Sequence, residues 1–283
     1  MSIAVTGAEG QLGHELCRQL GGEALALDLP AFDLTRPDAT RDLLLRARPK
    51  AVINAAAYTR VDKAEEEPGV CRAINVDGAA KLAEICRELD CPLVQLSTDY
   101  VFGRDPLRRR PYTEADEPGP QGVYAQSKRD AEQLVARWEK HFAVRTCGLY
   151  GLAAPRSAGN FVATMLRLAR QGKPLRVVHD QYCTPTYVPH LARAIRFLLG
   201  TTAFGLYHVV SAGATNWYDF AAELFRQAGL AVELEPITTA QFGARAPRPA
   251  YSVLDTAKYH SLPNRPAMPA WQEGLAEYLA AVS

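Results

Sequence analysis

The chain has 283 residues, 48% of them hydrophobic, with a formal net charge of +1. That length suits one large domain or two interleaved lobes around a sizeable core. The near-neutral balance argues against nucleic acid or an anionic membrane surface as a partner. The six cysteines form no C-x-x-C pair and the six histidines no H-x-x-x-H spacing. They read as buried thiols in a reducing compartment, with no metal site expected. The first residues already read as a strand, which leaves no room for a secretory leader, and no apolar run is long enough to span a bilayer. A cytoplasmic protein is expected.

In chain order, residues 3–5, 24–27, 51–53, 93–96 and 143–145 are short apolar runs that predict strands. The amphipathic stretches 11–20, 39–47, 71–89 and 124–140 predict helices between them. Such alternation predicts a doubly wound parallel α/β sheet, Rossmann-like, over residues 1–150. After residue 150 prolines and glycines become frequent. Helices at 161–171, 191–199, 217–228 and 271–282, with a strand at 207–210, predict a smaller α+β substrate-binding lobe over 151–283, some of which returns to the first domain. Arg108, Arg109 and Arg110 read as a solvated loop.

Gly7, Gly10 and Gly13 follow the first strand and open the first helix. Glycines let the backbone turn tightly against a pyrophosphate, while Gln11, Leu12 and the helix N–H groups face its charge. Asp28 ends the next strand about 20 residues on, where a ribose diol is held in such folds. A carboxylate there favours NADH by repelling a 2′-phosphate, and Arg36 or Arg60 folding back would offset it, so NADPH or NADH is expected. The small residues Ala55, Ala56 and Ala57 allow close approach to a cofactor, or simply pack tightly. Thr98 follows an apolar run and either polarises a substrate carbonyl or caps a local turn. Tyr124 and Lys128 are four residues apart, on one face of a predicted helix. A phenol near pKa ~10 is a poor acid-base catalyst at neutral pH unless its anion is stabilised, and a neighbouring ammonium does that.

The chain resembles the extended short-chain dehydrogenase/reductases and, more narrowly, the dTDP-4-dehydrorhamnose reductase family. The matching pieces are Thr6–Gly13 (TGAEGQLG), residues 54–65 (NAAAYTRVDKAE), 97–103 (STDYVFG) and 124–128 (YAQSK), with shorter pieces at 145–146, 160–168, 180–186, 205–208 and 248–254. The resemblance implies reduction of the C4 keto group of dTDP-4-dehydro-6-deoxy-L-mannose by a nicotinamide cofactor. Tyr124 would be the proton donor, Lys128 its partner, and Thr98 the third member of the triad. Asp33, Leu34, Tyr58 and Thr59 would join the cofactor site. Thr98, Asp99, Tyr100 and Arg248 would face the sugar.

The chain departs from the family at Gly148, where many members carry a tryptophan against the sugar, and at Gly122, where an asparagine is usual. Tyr150 or Tyr182 is a candidate to fill the gap left at Gly148. Glu15 matches a glutamate of the metal-bridged dimers in the family, but the region of His190 lacks the acid expected there. The resemblance therefore leaves a homodimer open without a metal. The alternatives are another nucleotide-sugar 4-ketoreductase or epimerase, and a non-catalytic regulatory subunit resembling that of methionine adenosyltransferase.

Overall fold

The structure, a computed structural model, describes residues 2–152 and 159–282. The first half runs β1 (Ile3–Thr6), α1 (Gln11–Leu20), β2 (Ala24–Leu27), α2 (Pro37–Ala47), β3 (Ala51–Asn54), α3 (Val61–Ala64), α4 (Pro68–Arg72), α5 (Gly78–Glu88), β4 (Leu93–Thr98), α6 (Val123–Val135) and β5 (His141–Thr146). The second half runs α7 (Phe161–Ala169), β6 (Leu175–Val178), β7 (Tyr182–Cys183), α8 (Val188–Leu199), β8 (Gly205–His208), β9 (Thr215–Asn216), α9 (Trp217–Gln227), β10 (Leu234–Ile237), α10 (Thr239–Phe242), α11 (Ala257–His260) and α12 (Trp271–Val282).

The main sheet has the order β2-β1-β3-β4-β5-β8, every neighbouring pair parallel. Side chains alternate across it, as the period of two demands. Ile3, Val5 and Ile53 pack on one face with Leu12 and Leu16 of α1 and Leu191 and Ile195 of α8. Ala4 and Val52 pack on the other with Leu44 of α2, Leu82 of α5 and Val135 of α6. Covered on both faces, β1 and β3 are buried throughout, which is why they read as unbroken apolar runs. The strand order reverses direction between β1 and β3, which opens a crevice at their carboxyl ends.

Beyond residue 150 the chain divides its segments. Helix α8 covers the main sheet and β8 extends it by pairing with β5. The short sheet β10-β6, with α7, α9 and α12, builds a separate apolar centre around Phe220, Leu224 and Leu275, while Cys183 of the β7-β9 pair packs with Phe102 and Val210.

Several elements differ in their bounds from the pattern read in the sequence: the strand expected at 207–210 is β8 at Gly205–His208, and the helix expected at 191–199 starts at Val188. Helix α2 starts at Pro37, whose fixed φ and missing N–H suit a first helical turn. Helix α6 stops at Val135 because the chain turns to bury Trp138, whose indole N–H donates to the Cys91 carbonyl at 3.0 Å. The helix expected over 71–89 runs from Pro68 to Glu88 and widens at Ala73–Asp77 into a π turn. Arg108 is not a solvated charge. Its guanidinium lies 4.1 Å over the Tyr112 ring and donates to Asp116 at 3.0 Å and to the Pro111 carbonyl at 2.9 Å.

Candidate active site

The crevice at the β1/β3 reversal holds a cavity of about 560 Å³. Its floor is the turn between β1 and α1. Gly7 has φ +67°, and a Cβ there would lie 2.7 Å from the Ala56 nitrogen. A Cβ on Gly13 would lie 2.0 Å from the Gly7 carbonyl oxygen. Only glycines let this turn close on itself and on the Ala55–Ala57 backbone. Gly10, Gln11, Leu12, Asp28, Asp33, Leu34, Ala55, Ala56, Ala57 and Thr59 line the cavity, and so do Tyr124 and Lys128. Gly13 packs the helix and does not line it, and Tyr58 stands outside. The Tyr58 hydroxyl donates to Glu67 at 2.9 Å, and its N–H donates to Asn75 at 2.8 Å.

The residues of the crevice fit a dinucleotide. Gln11 Nε2 and Thr146 Oγ1 are buried polar atoms without a hydrogen-bond partner among the described residues, and both side chains line it. Buried polar atoms are ordinarily satisfied, so these two call for ligand atoms or water. The glycine turn presents backbone at the N-terminus of α1, where negative charge is favoured. Asp28 accepts the Glu9 N–H at 2.7 Å and the Leu29 N–H at 2.8 Å, which fixes its carboxylate. Asp33 is fixed likewise by the Thr35 N–H (2.9 Å) and hydroxyl (2.7 Å).

A second cavity of about 230 Å³ adjoins the first, lined among others by Thr98, Asp99, Tyr100, Gly148, Trp217 and Ser252. Tyr124 alone among the described residues lines both cavities. Helix α6 places it there, and Lys128 follows one turn later on the dinucleotide side. The π turn supports that helix from behind. Asn75 donates to the Ser127 hydroxyl at 2.9 Å, and Ser127 donates to the Tyr124 carbonyl at 2.7 Å.

Burial and the nearby Asp99 carboxylate push the Tyr124 phenol above its ordinary range, while a hydrogen bond with Thr98 pulls it back. The net direction is upward, opposite to the lowering that a Lys128 neighbour suggested, because desolvation outweighs the other influences. At neutral pH the hydroxyl therefore carries its proton, the form a donor needs. Lys128, 3% exposed, makes no hydrogen bond or ion pair among the described residues. Burial lowers its ammonium to about 8, against the attraction of Glu132, which raises it. Asp99 is 2% exposed and is pushed up to about 6 by burial, partly offset by hydrogen bonds from Ser252 (2.5 Å), Cys147 and Thr98. Thr98 does double duty, since its oxygen also accepts the Tyr100 N–H at 3.2 Å and so caps the turn after β4.

Arg248 lines neither cavity. Its guanidinium forks onto Asp62 at 2.8 and 3.0 Å and donates to the Ala246 carbonyl at 2.9 Å. Tyr150 is also remote: it is 1% exposed and stacked on Tyr187 at 5.6 Å. Glu15 is engaged by Arg18 and Gln19 at 2.7 Å each. The sequence reading missed Thr146 in the first cavity and Gln181, Cys183, Trp217 and Ser252 in the second. Thr146 is the last residue of β5, Gln181 and Cys183 lie just before and in β7, Trp217 opens α9 and Ser252 lies beyond α10, so only the fold brings them together.

A doubly wound sheet with a dinucleotide-sized crevice, a partly buried Tyr124 shared between that crevice and a smaller cavity, and a buried Lys128 one turn on define an oxidoreductase of the short-chain dehydrogenase/reductase type. The chain belongs to the family described as the RmlD substrate binding domain, whose model matches residues 1–283. It is 38% identical to the dTDP-4-dehydrorhamnose reductase of Streptomyces griseus, over 98% of this chain and 93% of that protein. It is also 38% identical to the spore coat polysaccharide biosynthesis protein SpsK of Bacillus subtilis, over 98% of this chain and 96% of that protein. The crystal structure of dTDP-4-dehydrorhamnose reductase from Bacillus anthracis in complex with NADP superposes with a TM-score of 0.93 at 36% identity, covering 99% of this chain and 100% of that one. Among the described residues no helix is long and apolar enough to cross a membrane.

Proposed function

We propose that this chain reduces the C4 keto group of dTDP-4-dehydro-6-deoxy-L-mannose with NADPH or NADH to give dTDP-L-rhamnose. The observation that carries the reading is Tyr124 standing in the wall between the dinucleotide-sized cavity and the smaller one. A reduced nicotinamide, when bound in the first cavity, supplies the hydride that the keto carbon accepts. Tyr124 gives its proton to the carbonyl oxygen as negative charge develops there, which balances the reduction to an alcohol. Thr98 orients the phenol and offers a second hydrogen bond to the same oxygen. Lys128 lines the dinucleotide cavity and would hold the cofactor there, and its positive charge favours the transient phenolate.

The remaining roles follow from the linings. Gly7, Gly10, Gln11 and Leu12 receive the pyrophosphate, and Asp28, Asp33 and Leu34 the adenosine half. Ala55, Ala56, Ala57 and Thr59 line the same cavity, the alanine backbone close against the Gly7 turn. Asp99 and Tyr100 face the sugar with Thr98. Arg248 acts through Asp62, outside the cavity. The reading assigns residues 1–150 mainly to the dinucleotide and much of 151–283 to the sugar. It also puts the protein in the cytoplasm, with a homodimer as the assembly the family resemblance implies.

A second reading, reduction of a different dTDP-4-keto sugar, is favoured by Gly148, which leaves the sugar side of the cavity without the family's tryptophan. Assays with a panel of dTDP-4-keto sugars and each cofactor decide between them. Turnover with dTDP-4-dehydro-6-deoxy-L-mannose, with dTDP-L-rhamnose as product, supports the first. Turnover only with another sugar supports the second. Absence of turnover with every sugar rejects both.

A further inference from the structure

We infer that Trp217 is the aromatic wall that grips the hexose, a specificity-determining contact built across from Gly148; this rests on the proposed sugar-nucleotide reduction. Gly148 has φ +52°, a backbone conformation that side-chain-bearing residues rarely adopt. A Cβ at that position would lie 3.0 Å from the ring edge (Cη2) of Trp217 and 3.2 Å from Pro185 Cα. The space beside Gly148 is therefore already taken, by an indole that arrives from another element.

That indole is held rigidly. The β7-β9 ladder pairs Tyr182 with Asn216 and ends immediately before it. Asn216 caps α9, accepting the Asp219 N–H at 2.8 Å, so Trp217 is the first residue of a fixed helix. Phe161 supports the ring at 4.8 Å between centroids and Phe220 at 6.2 Å. The side chain joins the core at two clusters, around Phe220 and around Val210, without being fully taken up by them. Trp217 is only partly buried, lines the smaller cavity, and its N–H makes no hydrogen bond among the described residues. Opposite chemistry meets it there, with Thr98, Asp99, Gln181 and Ser252 supplying polar atoms. A 6-deoxyhexose has that division: an apolar face with a methyl group, and a rim of hydroxyls. An indole gives it a large preorganised surface and one donor.

The test compares wild type with Trp217→Ala and Trp217→Phe, the second keeping the support against Phe161 and Phe220. KM for dTDP-4-dehydro-6-deoxy-L-mannose is measured alongside calorimetric Kd values for dTDP-L-rhamnose, dTDP and NADPH. Removing an aromatic contact predicts a rise of about tenfold or more in KM and in the dTDP-L-rhamnose Kd for the alanine variant. The phenylalanine variant should show a rise of about threefold. The Kd values of dTDP and NADPH should stay within about twofold of wild type, because the loss is confined to the sugar. Unchanged KM and Kd in both variants, or an equal loss for dTDP and dTDP-L-rhamnose, overturns the inference alone. Should the alanine variant fail to fold, the phenylalanine variant decides by the same readings. A wild-type protein that neither reduces the keto sugar nor binds dTDP-L-rhamnose overturns the functional reading, and this inference with it.

Discussion

Arg145 closes its guanidinium on Glu132 inside the protein. Nε donates to Oε1 at 2.9 Å and Nη2 to Oε2 at 2.7 Å, with the two side chains 2% and 5% exposed. The Ser97 hydroxyl adds a bond to Glu132 at 2.5 Å, and Ser97 lines the dinucleotide cavity. The pair thus ties β4, β5 and α6 together directly beneath Lys128. On the other side of Arg145 stands His208, which burial and the guanidinium's charge hold down to about 3, so the ring is neutral at working pH and Glu132 is the counter-ion of the guanidinium. Glu132→Gln should therefore leave a buried guanidinium without its counter-ion and cost about 3–5 kcal/mol. Thermal melting should show a fall of roughly 10 °C. A melting point within a degree or two of wild type would contradict this account of the pair.

Lys128 sets the alkaline limit of activity. Its ammonium, lowered to about 8 by burial, loses its proton as pH rises through that value. With the positive charge gone, the phenolate of Tyr124 is less well stabilised in the transition state. The pH profile of kcat/KM should be level between about 7 and 8 and decline above 8. Because Glu132 holds the ammonium up, a Glu132→Gln variant that still folds should begin its decline at lower pH. A profile that stays level to pH 10 would remove Lys128 from the chemistry.

Asp99 should make stability depend on pH in the unusual direction for a carboxylate. Its folded value is raised, to about 6, so the folded state holds its proton more tightly than the unfolded chain does. The penalty for the buried charge is absent below the unfolded value, grows as pH rises towards 6, and is complete above it. The penalty is on the order of 3 kcal/mol. Asp99→Asn should accordingly melt about 5 °C or more above wild type at pH 8, and the gap should close near pH 4. Equal gaps at the two pH values would show that Asp99 does not titrate in this range.

What the sequence revealed was mostly local. The apolar run into Gly7, Gly10 and Gly13 reports one strand, one turn and one helix, all within a few residues. The i, i+4 spacing of Tyr124 and Lys128 reports a shared helix face directly. The unreadable parts depend on residues far apart in the chain. Asn75 braces Tyr58 and Ser127 from a π turn that no spacing marks in a helix-forming stretch. Glu132 and Arg145 look like two ordinary surface charges until β5 is laid beside α6. Trp217 has the apolar spacing of a core residue in α9, and only the fold brings it against Gly148. The direction of the Tyr124 shift was likewise hidden, because the depth of burial is a property of the whole assembly.

The proton carried by Tyr124 is the central claim, and one comparison tests it most directly. Wild type and Tyr124→Phe are assayed for NADPH-dependent reduction of dTDP-4-dehydro-6-deoxy-L-mannose, with NADPH binding measured on both. The account predicts that the phenylalanine variant binds NADPH within a few-fold of wild type and turns over roughly a hundredfold more slowly, or worse. A variant that binds the cofactor and reduces the sugar at the wild-type rate would contradict it.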